Sequence, residues 1–188
     1  ATHADGSVPG AGDGNPAWAV LARIDAAVRA HMLPLPAADE LPDRWSGIGF
    51  EVGGSRYVAA EGQVAEILLP PRTTQLPGVR SWVLGVANVR GRLLAVADLP
   101  AFLGLGRTGA RADRRVMIVA ADDFEIGLLV EQSLGMQHFT PDMVQAEEPA
   151  PEAVAPFVGR TFRNAGRVWR ELDLRALVRS PSFSDVAA

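Results

Sequence analysis

Apolar residues along this chain change their spacing near residue 47. Before it, Trp18, Leu21, Ile24, Val28 and then His31 or Met32 fall at helical intervals; beyond it, apolar positions follow the period of strands. Asn15-Pro16 supplies an N-cap and a proline at the first helical position, so a helix of about four turns is expected over 16–32, ended by Pro34 and Pro36. Its stripe suits packing on the main domain or binding a partner. Residues 1–14 are small, polar and glycine-rich, and are expected to be disordered. Residues 33–46 read as a connector in which Trp45, a large indole, pins the chain to a core edge.

From residue 47 the pattern predicts hairpins. Residues 47–52 and 56–60 flank a Gly53-Gly54 turn, and 64–69 form a third strand stopped by Pro70-Pro71. An irregular loop continues to Arg80, turned back by Leu76-Pro77-Gly78. Residues 82–87 and 93–97 are nearly continuous in apolar side chains, as expected of strands covered on both faces or lying in a small barrel. Gly85 within them suits a close backbone approach or a bend, and Asn88-Val89-Arg90-Gly91 joins them. Asp98 is positioned to cap a short helical turn over 99–103, and Gly104 and Gly106 release the chain.

The second half repeats this rhythm. Residues 107–115 read as a solvated basic loop, 115–120 and 124–130 as a hairpin turning at 121–123, and Gly135 as a bend. Thr140-Pro141-Asp142 opens a short turn, 145–156 is an acidic proline-rich loop, and 157–162 with 167–172 form a last hairpin turning at 164–166. Asp173 is expected to cap a helix over 174–179, and Pro181 to begin a polar tail. The resulting domain boundaries are a disordered 1–14, a helix and linker over 15–46, a β domain over 47–180 and a tail over 181–188.

Composition narrows what such a domain can do. The 188 residues are 48% hydrophobic and 21% charged with net charge −4, so no global positive field invites nucleic acid or an anionic membrane. Cysteine is absent, which excludes disulfides, thiolate metal sites and cysteine nucleophiles. No apolar run reaches membrane-helix length, and residues 1–14 lack the basic start and apolar core of a secretory signal, so a cytoplasmic protein is expected. The chain opens on Ala1, which leaves room for a trimmed upstream segment.

Candidate chemistry is sparse. The three histidines are far apart; His138 has only Asp142 nearby in sequence, and Asp122-Asp123 reads as a turn rather than a metal site. No phosphate-binding loop, dinucleotide fingerprint, HExxH or GxSxG occurs, so no catalytic, cofactor-binding or metal-binding residue is expected. Arg90 stands out instead: it sits at the tip of a hairpin whose strands are apolar but for Arg92 and Asp98, and a cation so placed suits a docking surface. It is also placed to be solvated or to pair with a local carboxylate such as Asp98.

These residues resemble a known family. Leu76-Pro77, the run from Trp82 to Gly91, Leu93 to Leu99, Gly127 to Glu131 and Gly135 are similar to the CheW-like domain of bacterial chemosensory coupling proteins, over about 47–177. Trp45, Gly47 to Phe50, Trp82 and the 159–169 hairpin resemble most the branch serving type IV pilus twitching motility. The resemblance implies a mainly β fold of two intertwined five-stranded SH3-like barrels around a shared core, neither a simple consecutive half, here with an added N-terminal helix and a short C-terminal one. It implies no catalysis and no cofactor. Its implied partners are the regulatory domain of a CheA-type histidine kinase, a chemoreceptor's cytoplasmic tip and other CheW-like proteins, at membrane-associated arrays near a cell pole. The family's prominent turn arginine falls on Arg90, with Asn88 and Gly91 beside it. Leu68, Leu69, Leu76, Val79 and Val83 are candidates to line the receptor groove or to fill the core. Two departures are the lengthened N-terminus and the small Ala87 and Ala95.

Two alternatives remain at this level: a coupling protein of a flagellar or other chemosensory array, and an enzyme or ligand sensor with a pocket between the barrels. A polar pocket converging on His138 would favour the second, and an exposed His138 would remove its support. The covered-strand reading also implies that Val86→Asp abolishes folding, by placing an unpaired charge inside.

Overall fold

The computed structural model describes Val20, Arg23 and residues 44–188 other than Arg107, Asp122, Asp123 and Glu147. The expected helix over 16–32 therefore falls, save those two residues, outside the described part, as do the 1–14 segment, most of the linker and the Asp122-Asp123 turn. The compact unit Pro42–Ala188 holds every described strand.

Eleven strands among the described residues form two sheets. β1 (Trp45–Val52), β2 (Ser55–Ala60), β8 (Gln132–Phe139), β9 (Val144–Gln145), β10 (Val158–Asn164) and β11 (Arg167–Leu172) make a six-stranded sheet in the order β8-β1-β2-β11-β10-β9. β3 (Val64–Leu68), β4 (Val83–Val89), β5 (Arg92–Asp98), β6 (Arg115–Ala121) and β7 (Phe124–Val130) make a five-stranded sheet in the order β3-β6-β7-β5-β4. The two five-stranded units expected from the sequence are present, and β9, two residues long, adds an edge strand to the first sheet. The five-stranded sheet is one continuous stretch of chain, and the six-stranded sheet is built from the two flanking stretches.

An internal repeat underlies this arrangement. Each half of the chain runs hairpin, single strand, hairpin, capped turn: β1 to β5 and α1 (Leu99–Phe102), then β6 to β11 and α2 (Leu174–Val178), with the two-residue β9 added before the second half's last hairpin. The second hairpins carry one pattern, Gly91-Arg92 with Asp98-Leu99-Pro100-Ala101 and Gly166-Arg167 with Asp173-Leu174-Arg175-Ala176, at identical spacing. Both aspartates cap: Asp98 Oδ1 accepts from Ala101 N–H at 3.1 Å, and Asp173 Oδ1 from Ala176 N–H at 3.0 Å. Each half gives its first hairpin to one sheet and its later strands to the other. The parallel pairs β2/β11 and β5/β7 are the joints of that exchange.

Side-chain alternation then divides the apolar residues among three clusters. The largest holds Phe50, Val52, Tyr57, Met117, Val119, Leu128, Leu172 and Leu177, contributed by both sheets, and is the shared core. Val58, Phe139, Phe162 and Trp169 form a second cluster on the six-stranded sheet, and Ala87, Val96, Val116 and Leu129 a third on the other. Burial in the shared core raises the Tyr57 hydroxyl's pKa, with Arg170 and Ser55 pulling the other way, so the phenol stays neutral at ordinary pH. The Glu131 carboxyl is buried and accepts three hydrogen bonds, from Gly54 N–H at 3.3 Å, Thr108 Oγ1 at 2.9 Å and the Thr108 amide. It ties the β1–β2 turn and the loop before β6 to the β7–β8 junction.

The irregular loop after β3 folds back on β4. Thr74 exchanges backbone hydrogen bonds with Val86 at 2.8 and 2.9 Å, and a Cβ on Gly85 (φ +118°) would lie 2.0 Å from the Thr74 carbonyl oxygen. The close approach expected at Gly85 is thus the seating of this loop. The strands of 82–97 are less covered than their apolar run suggests: Leu93 and Ala95 are exposed and Val86 is only half-buried, so that expectation is corrected. Residues 181–188 are also not a free tail. They form α3 (Pro181–Ser184), whose Phe183 is buried, and Ala187 pairs with Val79.

Candidate functional site

The β4–β5 turn is two residues long. Arg90 (φ +52°) and Gly91 (φ +83°) both take the left-handed conformation that a tight, twist-matched hairpin requires. Asn88 Oδ1 accepts from Gly91 N–H at 2.9 Å, which fixes the turn before any partner arrives. Glycine costs nothing at Gly91, whereas Arg90 holds its position against the side-chain penalty of φ > 0.

Arg90 is exposed but not unpaired. Its guanidinium takes both oxygens of Glu66, at 2.6 and 3.1 Å, with the arginine side chain 75% and the glutamate 25% exposed. The carboxylate considered from sequence, Asp98, is buried at the far end of β5 as the cap of α1. Glu66 lies on β3 and Arg90 at the end of β4, the two outer strands of the five-stranded sheet, so the ion pair spans the open seam of that sheet. A fork-to-fork pair holds the guanidinium plane in one orientation, although exposure limits it to roughly 0–1 kcal/mol. Arg90→Gly is therefore expected to change unfolding free energy by less than about 1 kcal/mol, because relief of the positive φ offsets the lost pair. Urea denaturation checks this; a loss of several kcal/mol would make Arg90 a structural residue.

Beside the turn lies an apolar surface that sequence reasoning missed. Leu93 is 79% and Phe124 47% exposed, and with Val89, Leu94, Ile118 and Ala120 they line a groove of about 380 Å³. The Arg92–Glu125 pair, at 2.6 Å, borders it. The signal was present in the alternation: Leu94 and Val96 point inward, so Leu93 and Ala95 must point outward.

The other candidate residues separate by position. Leu68 and Val83 pack against core clusters, on the inner side of their strands. Leu76 is 43% exposed on the loop before β4, and Val79 on the same loop is half-buried beside Ala187. Asn88 and Gly91 shape the turn, and Arg90 is its exposed charge. Leu69 lies with Pro70, Pro71, Arg111 and Arg114 on a different groove, at the opposite end of the same strands.

His138 lies on β8 and is exposed, with Nδ1 2.8 Å from Ser46 Oγ on the neighbouring strand. Its exposure removes the support the enzyme or sensor reading needed. Among the described residues no group of three or more histidine, cysteine, aspartate or glutamate side chains could hold a metal ion, and no helix is long and apolar enough to cross a membrane.

Comparison with known proteins gives a consistent result. A model of the CheW-like domain matches residues 46–182. Protein PilI of Pseudomonas aeruginosa is 44% identical over 169 residues, 89% of this chain and 94% of its own length. The chemotaxis protein CheW of Bacillus subtilis is 34% identical over 86 residues, 46% of this chain and 55% of that protein. The crystal structure of the scaffolding protein TtCheW from Thermoanaerobacter tengcongensis superposes with a TM-score of 0.63 at 20% identity, over 76% of this chain and 96% of that one.

Proposed function

This chain belongs to the CheW-like domain family, and from that premise we propose that it couples chemoreceptor cytoplasmic tips to a CheA-type histidine kinase in a pathway controlling type IV pili and twitching motility. The family consists of coupling and scaffolding proteins rather than enzymes, and this chain follows it. The observation that carries the pilus assignment is the 44% identity to Protein PilI along almost the whole of both chains. In this reading the protein works in the cytoplasm, recruited to receptor arrays at a cell pole, and other CheW-like proteins are further partners.

The hairpin tip supplies the receptor side of the reading. Asn88, Arg90 and Gly91 present a fixed cation, and Leu93 and Phe124 place desolvatable surface beside it, the combination from which binding hot spots are made. Leu76 and Val79 extend the contact along the loop before β4, while Leu68 and Val83 support it from the core.

Two measurements test this. Calorimetry with the kinase's CheW-like regulatory domain is expected to give a dissociation constant on the order of micromolar, and no association at ~100 μM would overturn the coupling role. Expression in a strain lacking its twitching-motility coupling protein is expected to restore twitching. Restoration of swimming instead, in a strain lacking a flagellar coupling protein, would assign the chain to a different array. Arg90→Ala is expected to weaken receptor coupling while leaving stability within about 1 kcal/mol.

A further inference from the structure

The loop between β3 and β4 contains a strip of backbone that is already engaged in strand pairing. Arg80 N–H donates to the Val186 carbonyl at 3.0 Å, Ala188 N–H donates to the Gly78 carbonyl at 3.0 Å, and Val79 and Ala187 stand opposite one another as an antiparallel bridge. Side-chain recognition accompanies these bonds. The Arg80 guanidinium donates through Nε to the Asp185 carbonyl at 2.7 Å and pairs with the Asp185 carboxylate. We propose that Gly78, Val79 and Arg80 form a strand-accepting edge, that Asp185 to Ala188 are its resident occupant, and that an extended partner segment carrying a carboxylate followed by small apolar residues displaces them.

The occupant itself defines the chemistry. Main-chain hydrogen bonds to an edge accept any extended segment, and the side chains beside them select among segments. Here the selecting groups are Arg80, which takes a carboxylate, and half-buried Val79, which faces an alanine. A partner segment must offer the same order: acid first, then small and apolar.

The C-terminal residues are held with unequal strength. Phe183 is 4% exposed among the rings of Trp82 and Phe102, and stays in place. Beyond it, the Arg80 and Asp185 side chains are 45% and 60% exposed and Val186 is 42% exposed, so solvent screens the ion pair and little apolar burial secures the strand. Segments with few buried contacts open locally while the rest stays folded. Opening frees the Arg80 N–H and the Gly78 carbonyl next to exposed Leu76. Because the occupant is tethered, it competes at a high effective concentration and sets a threshold that a partner must exceed. This inference shares Val79 and neighbouring Leu76 with the contact assigned to the receptor, but it rests on the backbone pairing with residues 185–188 and does not require the coupling role.

The test titrates the acetylated peptide Ser-Asp-Val-Ala-Ala, the sequence of residues 184–188, into isotope-labelled protein followed by amide NMR. Two proteins are compared: the full chain, and a chain ending after Ser184, which keeps Phe183. Saturable shifts at residues 78–80 are expected in the shortened chain, with an apparent affinity about tenfold above that of the full chain. A peptide with asparagine in place of aspartate is expected to bind several-fold more weakly. No saturable shift up to ~5 mM, or equal titration of the two proteins, overturns the proposal. Should the shortened chain not fold, Ala188→Pro in the full chain removes one donor and keeps every other contact. The Arg80 amide is then expected to exchange about tenfold faster relative to the Val86 amide, and an unchanged ratio is the overturning result.

Discussion

Phe183→Ala is expected to lower the unfolding free energy by about 3–5 kcal/mol, the range for removing a buried phenylalanine from a core. Phe183 is 4% exposed, although it lies in a Ser-Pro-Ser-Phe-Ser stretch that reads as polar. Its ring centroid stands 5.1 Å from Trp82 and 4.9 Å from Phe102, and Trp82 and Phe102 meet at 5.1 Å. These three rings join the residue before β4, the end of α1 and the one turn of α3. Ser180 caps that turn, its Oγ accepting from Phe183 N–H at 3.3 Å. Removing the ring leaves a cavity against two aromatic faces that cannot collapse, because each is anchored by its own backbone. Urea denaturation gives the number. A change below about 1 kcal/mol, the size expected of a surface substitution, would return residues 181–188 to the role of a tail.

Each feature was legible in the sequence to the extent that its cause is local. The hairpins at Gly53-Gly54, Arg90-Gly91 and Ala165-Gly166 are visible because a two-residue turn needs left-handed conformations that glycine supplies. The caps at Asp98 and Asp173 are visible for the same kind of reason. Sheet order was not, since the β2/β11 pair joins Arg56 to Trp169 and nothing near either strand specifies the other. The repeat of Gly-Arg and Asp-Leu-x-Ala was a usable signal for the exchanged halves, and it went unread. The logic that placed Trp45 at a core edge, a large aromatic in a polar stretch, applies equally to Phe183 and would have docked the C-terminal segment.

The hairpin tip shows the same division. The Asn88 to Gly91 turn is local and was legible; the partner of Arg90 was not. Glu66 meets Arg90 only because β3 and β4 are the two outer strands of one sheet, a fact of topology rather than of nearby sequence. Leu93 and Phe124 were hidden for a different reason. Strands inside and outside a small barrel are both rich in apolar residues, so composition cannot tell a contact surface from a core, and only the parity against Leu94 and Val96 separates them. The consequence for binding is a cation held by an ion pair across a seam, beside grease that no element of the described structure covers. Partner contact at this tip would bury Leu93 and Phe124 while Arg90 keeps or exchanges its carboxylate.

Val119→Asp is expected to destabilise the fold severely, removing about 4 kcal/mol or more from a stability that for domains of this size is about 5–15 kcal/mol. Val119 is fully buried, stands opposite Val64 on one side and Ile126 on the other, and belongs to the core to which both sheets contribute. A carboxylate there has no donor within its own layer of Phe50, Met117 and Leu128, so ionisation is opposed by the whole shared core. The same substitution at Val86, a residue of the apolar strand 83–89, has a different outcome. Val86 is half-buried and faces exposed Ala95 across the hairpin, so an aspartate there reaches water, and a cost of about 1–2 kcal/mol with cooperative unfolding is expected. Thermal unfolding of the two variants distinguishes the cases. The Val119→Asp loss should shrink on acidification, because a protonated carboxyl is easier to bury; the loss grows as pH rises from the unfolded-state carboxyl range through the raised folded-state value. Cooperative melting of Val119→Asp within about 1 kcal/mol of the parent would mean that the two sheets do not depend on a shared core, and that each stands on the smaller cluster within its own curve.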